Sequence, residues 1–290
     1  MALLAALESA AIAALKLRGV RDERITTRVG EVCALVVPGR GALGTLVVQH
    51  GIGAASGLHF APMFRALARQ FARIVAVDLP AHGRSAAPSR VDPEALFDGF
   101  RDAIDILAPE GAFLYGNSLG GAMVTQYALE TPHRVHGLFL TSPAGAPLDA
   151  QRLADIRATF AMPDRAATLD FLDKLYFRVP PGAGFVAHEI RSRFHRPELR
   201  SLIASFREGH GFDTEAVGAL GMPIELWWPS VDRVMPIAFR DWWIAHLPKH
   251  AAILDPEGVG HCPHLDRPGF VAEALVRFAA AAHAGERAGR

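Results

Sequence analysis

The chain has 290 residues, half of them hydrophobic, and 30 Lys plus Arg balance 30 Asp plus Glu, so its formal net charge is zero. That length suits one large α/β domain with an insertion or two small domains, and without a basic excess or an aromatic-interleaved basic stripe no nucleic-acid partner is expected. The two cysteines, Cys33 and Cys262, form no Cys-x-x-Cys pair, which argues against a disulfide framework and for a reducing, cytoplasmic setting.

Met1 to Leu17 (MALLAALESAAIAALKL) predicts an apolar helix within residues 1–20. Glu8 interrupts the run and Lys16 and Arg18 follow it, so the segment does not read as a secretory signal, and it is too short to cross a bilayer comfortably. Its destinations are the protein's own body, a second subunit, or a peripheral position on a membrane surface. Arg24 to Val37 alternates like an entering hairpin, and Gly44 to His50 is a continuous apolar strand that ends in the loop His50-Gly51-Ile52-Gly53. Then come a helix over 61–70, a strand over 73–78 running into Leu79-Pro80-Ala81-His82-Gly83-Arg84-Ser85, and a helix over 93–107.

Ala112 to Gly121 (AFLYGNSLGG) is the stretch that organises the rest. Strand-like residues meet Gly116-Asn117-Ser118-Leu119-Gly120, and helix-like sequence follows at once. A strand follows over 135–140, so the rhythm to this point is the alternation of a parallel sheet with helices on both faces. Residues 146–221 break it with helix-like pieces separated by prolines. It resumes with a strand at Pro223–Trp228, a helix over 235–247, a strand over 251–254 and a helix from Pro268 to about Ala282, with Ala284 to Arg290 a frayed tail. The expected layout is therefore an N-terminal helix (1–20), a core made of 21–145 and 222–290, and an inserted helical cap (146–221).

A serine hydroxyl on so tight a turn stands clear of the sheet, but it needs a base to become a nucleophile. The plain alternative for Ser118 is a helix cap in a glycine-rich turn. Among 13 histidines, His261 follows the last strand with Gly260 before it, and His264 is its competitor. Asp232, in the loop after the Trp227-Trp228 strand, is the candidate acid; its alternative role is to cap the helix opening at Met235. Thr141-Ser142-Pro143, the other common position for the acid, offers no carboxylate. Oxyanion donors are assigned to the backbone amides of Leu119 and Ile52, with Gly53 as the substitute. Asn117, His50, Trp228 and Tyr176 are the candidate substrate contacts, His50 also reading as a brace for its loop. No His-x-x-x-His lies on a credible helix, so no metal is expected, and no cofactor either.

With the chain order Ser118, Asp232, His261, the sequence resembles serine hydrolases of the α/β-hydrolase fold. The resemblance rests on His50-Gly51, Asp78-x-Pro80-x-x-Gly83-x-Ser85, Gly116-Asn117-Ser118-Leu119-Gly120-Gly121, Asp232 to Pro236 and Gly260-His261 to Pro268. The apolar first helix and the segment opening at Ser142-Pro143-Ala144-Gly145 are similar to monoacylglycerol lipase-like and bacterial esterase/lipase members. The resemblance implies a mostly parallel sheet with helices on both faces, a helical cap inserted before the acid-bearing strand, and an esterase acting on short- to medium-chain acyl esters. The Gly116-Asn117-Ser118 motif also occurs in hydrolases that cleave a carbon–carbon bond of ring-fission products. Those carry His-Gly-x-Gly-Pro-Gly and a tryptophan after the histidine, where this chain has Ala54-Ala55 and Cys262. Cofactor-free haloperoxidase-like chemistry on the same triad stays open, as does a silent binding protein. Seven basic residues between Lys174 and Arg207 read as a solvated helical face or as a patch for anionic lipid.

Overall fold

A computed structural model describes residues 2–288; the starting Met1 and the last two residues of the expected tail lie outside the described residues. In chain order the elements are α1 (Ala2–Lys16), β1 (Arg21–Thr27), β2 (Gly30–Pro38), β3 (Thr45–Gln49), α2 (Ser56–Leu67), β4 (Arg73–Val77), α3 (Pro93–Leu107), β5 (Ala112–Asn117), α4 (Leu119–Glu130) and β6 (Val135–Thr141). The inserted stretch holds α5 (Ala150–Ala161), α6 (Arg165–Leu175), α7 (Ala187–Phe194), α8 (Pro197–Ser205) and α9 (Thr214–Gly218). The core resumes with β7 (Ile224–Trp227), α10 (Ile237–His246), β8 (Ala252–Leu254), α11 (Pro263–Asp266) and α12 (Pro268–Ala288).

The strands form one eight-stranded sheet in the order β1-β2-β4-β3-β5-β6-β7-β8. The β1–β2 hairpin joins antiparallel, β2 lies antiparallel to β4, and every pairing from β4 through β8 is parallel. Alternate residues on the central strands enter two separate cores. Val47, Ala112 and Leu114 pack with Leu96 and Phe100 of α3 and Val124 of α4, while Leu46, Val48, Phe113 and Tyr115 pack with Phe60 and Phe64 of α2 and Leu275 of α12. A strand whose every residue finds an apolar neighbour must be covered on both sides, which is why these runs are uninterrupted in the sequence.

Three expectations change. α2 begins at Ser56, five residues early, because Pro62 sits inside it without ending it. α12 continues to Ala288, so the residues from Ala284 onward are helical as far as they are described. The basic residues between Lys174 and Arg207 are only partly an open patch: Arg178, Arg200 and Arg207 are exposed, and the other four are tied down. Lys174 pairs with Asp170, and Arg191, Arg193 and Arg196 donate to backbone carbonyls of Met162, Gly53 and Ala81. Among the described residues no helix is long and apolar enough to cross a membrane.

Candidate active site

Ser118 occupies the single residue between β5 and α4, at φ 55° and ψ −123°. No L-residue adopts that conformation without cost, so packing must hold it there. The packing is backbone against backbone. A Cβ on Gly120 would overlap the carbonyl oxygens of Gln49 and His50, and one on Gly116 would come within 2.5 Å of the Val124 side chain. Although Ser118 stands at the N-cap position, its side chain makes no capping hydrogen bond. The helix-cap alternative therefore fails. Gly120→Ala is expected to cost about 3 kcal/mol in urea unfolding, because neither backbone oxygen can retreat without moving β3; a neutral result would show the turn to be loose.

Asp232 and His261 sit in the loops after β7 and β8. The His261 Nδ1 donates to Asp232 Oδ2 at 2.8 Å, with both side chains almost wholly covered. The other carboxylate oxygen accepts from the amides of Val234 (2.8 Å) and Met235 (3.2 Å), so Asp232 caps the turn toward α10 and holds the histidine as well. Burial alone would raise the Asp232 pKa. The imidazole, then the Ser142 hydroxyl and the Val234 amide, outweigh it, and the net direction is downward. An ionised carboxylate at Nδ1 selects the tautomer that leaves Nε2 unprotonated.

His264 is excluded as the base. It is fully buried, bonded to the Tyr115 hydroxyl at 2.9 Å and to His59 at 3.4 Å, and burial holds its pKa well below the usual histidine value. The His261 loop is braced by two side chains, Asn117 and Asp266. Asn117 Nδ2 donates to the His261 carbonyl (2.8 Å), and the Asp266 carboxylate accepts from the amides of Gly260 (2.7 Å) and Phe177 (3.1 Å). Cys262 Sγ donates to Asn117 Oδ1.

Two of the four expected substrate contacts are corrected outright and a third is reassigned. His50 is fully buried: Nε2 accepts from the Leu79 amide (3.2 Å), and Nδ1 lies 2.8 Å from the Gly51 carbonyl. It braces its loop, and burial lowers its pKa. Trp228 is 2% exposed and packs in the core, in the cluster on the other side of the sheet from its neighbour Trp227. The Asn117 side chain is spent on Thr141, His261 and Cys262, although the residue borders the site. Tyr176 does line the cavity, with burial pushing its phenol up to about 12.

Two cavities meet at the serine. Ile52, Ser118 and Phe160 line both. The larger, about 720 Å³, follows one face of α4 through Leu119, Ala122, Met123, Gln126 and Glu130. Twelve residues of helix make that wall about 18 Å long, apolar for its first ~10 Å and polar beyond. The smaller, about 250 Å³, is lined by His261 and Tyr176 and by apolar side chains including Leu4, Phe171, Leu172 and Phe194. Of the expected oxyanion donors, Leu119 borders the larger cavity, Gly53 the smaller, and Ile52 both.

A model described as "Alpha/beta hydrolase family" matches residues 36–274. The human (Lyso)-N-acylphosphatidylethanolamine lipase is 33% identical over 172 residues, 56% of this chain and 48% of that protein, so the match spans about half of the relative's length. A bacterial membrane phospholipase A superposes with TM-score 0.80 at 22% identity, covering 97% of this chain and 92% of the other. The 2-hydroxy-6-oxo-6-phenylhexa-2,4-dienoate hydrolase of Rhodococcus sp. strain RHA1 superposes with TM-score 0.76 at 23% identity, covering 89% and 98%. At such identities the two structural likenesses speak for the fold.

Proposed function

The chain belongs to the alpha/beta hydrolase family, and from that premise we propose that it is a serine esterase that hydrolyses short- to medium-chain acyl esters through Ser118, His261 and Asp232. The observation that carries this reading is that His261, hydrogen-bonded from behind to the buried Asp232, lines the same cavity as the strained Ser118. His261 Nε2 takes the Ser118 proton as the hydroxyl oxygen attacks the ester carbonyl. The tetrahedral oxyanion is held by the amides of Leu119 and Ile52. The alcohol leaves with the proton from His261, and water, deprotonated by the same imidazole, then releases the acid from the acyl-enzyme.

The reading also orients the ester. The departing oxygen has to meet His261, which lines only the smaller cavity, so the alcohol part lies there and the acyl part runs along α4. Each methylene buried on the apolar wall contributes about 0.8 kcal/mol, roughly fourfold in kcat/KM. With ethyl esters of increasing acyl length, kcat/KM is expected to climb by that factor per carbon and level off at roughly eight carbons, where the ~10 Å apolar wall ends. A flat series would overturn this orientation. A ring-fission dienoate measured beside the esters decides the alternative: preference for it would replace ester cleavage with carbon–carbon cleavage.

Peripheral membrane contact is part of the proposal. Leu3 and Leu7 on α1, Leu17 just after it and Phe185 before α7 are exposed apolar side chains, and Arg178 and Arg200 are exposed or half-exposed cations in the inserted segment. Co-sedimentation with anionic vesicles at low salt, weakening as salt rises, is the expected result. Absence of binding at low salt removes the membrane from the proposal.

A further inference from the structure

The loop that carries Ile52 and Gly53 is held by two separate elements. The buried His50 ties it to the Leu79 amide. The last turn of α7 packs against Gly53. Arg193 Nη1 donates to the Gly53 carbonyl at 3.2 Å, and the neighbouring Phe194 ring lies so close that a Cβ on Gly53 would come within 2.5 Å of it. Phe194 is itself immobilised, stacked on Phe160 with ring centroids 5.4 Å apart and packed edge-on against Phe171. Gly53 has φ +72°, so the peptide after it can rotate without the penalty a side chain would impose. A hydrogen bond to its carbonyl therefore decides which way this joint of the loop is set.

Arg193 has its own support. Its Nη2 lies 3.8 Å from Glu8 Oε2, and Glu8 is a nearly buried carboxylate on α1. One turn earlier on α7, the Glu189 carboxylate accepts from the amides of Leu3 and Leu4 at 2.9 and 2.7 Å. Thus α7 grips the first helix at two points and the loop at a third. Partial burial of the guanidinium costs solvation that a nearby carboxylate offsets, and Glu8 is that partner. The arginine also borders the smaller cavity, yet its two fork nitrogens are directed to Gly53 and Glu8.

From these contacts we infer that Arg193 is a positioning residue for the oxyanion loop, and that Glu8 makes the N-terminal helix part of the apparatus that presents the Ile52 amide. The inference rests on the esterase reading, because it is that reaction that needs the loop amide aimed. Misaimed donors weaken transition-state binding more than substrate binding, so the loss belongs in kcat.

The test uses the full chain with a short-chain p-nitrophenyl ester. Arg193→Gln is expected to lower kcat about thirtyfold with KM within twofold, Arg193→Lys to recover most of it, and Glu8→Gln to lower kcat about fivefold. Unchanged kcat, or a change confined to KM, overturns the inference, the second by making Arg193 a substrate contact. Amide hydrogen exchange over residues 50–55 reads the loop directly: Arg193→Gln should speed it about tenfold relative to wild type, and unchanged exchange overturns the inference whether or not the protein turns over esters. Failure of the esterase reading looks different, since wild type would then be as inactive as Ser118→Ala while the exchange difference remained.

Discussion

Ser118→Ala is expected to lower kcat on a p-nitrophenyl ester by about 10⁴- to 10⁶-fold and to abolish labelling by a serine-directed phosphonate. The size follows from the role: without the hydroxyl no acyl-enzyme forms, and what survives is the contribution of binding and the oxyanion donors to direct attack by water. The variant should fold. The Ser118 hydroxyl makes no capping bond, and alanine meets no more backbone resistance at φ 55° than serine does. A matched urea midpoint would separate lost chemistry from lost structure. Retained hydrolysis in a folded Ser118→Ala protein would remove the serine from the mechanism.

Asp232→Asn is expected to cost about 10⁴-fold in kcat with little change in KM. The amide oxygen of asparagine can still accept from Val234 and Met235, so the turn that positions residue 232 survives. Its NH₂ would then face His261 Nδ1, which must become the acceptor. The ring proton moves to Nε2, and that nitrogen can no longer take the proton of Ser118. A second signature lies in stability. The folded-state pKa of Asp232 is depressed, so its contribution is present above the unfolded carboxylate pKa and is lost as pH falls through the lower folded value. Wild type should therefore lose more stability than Asp232→Asn on acidification below about pH 4. Equal acid sensitivity would mean that the carboxylate is not held by its partners as the geometry indicates.

Much of the architecture was legible because sheet strands and the turn after β5 write themselves locally. An apolar run such as Leu46–Val48 has to be covered on both sides, and Gly116 and Gly120 flank Ser118 because backbone oxygens occupy the space where side chains would go. The pairing of Asp232 with His261 was readable in a weaker sense. Each residue follows a strand, and neighbouring parallel strands end on the same rim.

Where the reading failed, nearness in sequence stood in for nearness in space. Trp228 lies within a few residues of Asp232, yet its side chain packs in the core, and of the two readings of His50 only the loop brace survives. The basic run between Lys174 and Arg207 reads as surface charge, but Arg191, Arg193 and Arg196 reach backbone carbonyls on distant elements. Asp266 lies within the Gly260-to-Pro268 motif, but nothing local says that it clamps the His261 loop to Phe177.

By itself the sequence determined the order of strands and helices, the strained turn that displays Ser118, and the neighbouring loops in which Asp232 and His261 meet. These depend on interactions within a few residues or on the repeating geometry of a parallel sheet. Only the tertiary structure decided that two cavities meet at the serine, that Asn117 and Asp266 brace the histidine loop, and that Arg193, with Glu8 beside it, reaches the Gly53 carbonyl from 140 residues away. Such contacts are selected by the closing of the whole chain, where the position of a charge is set by what packs beside it and no periodicity records the partner.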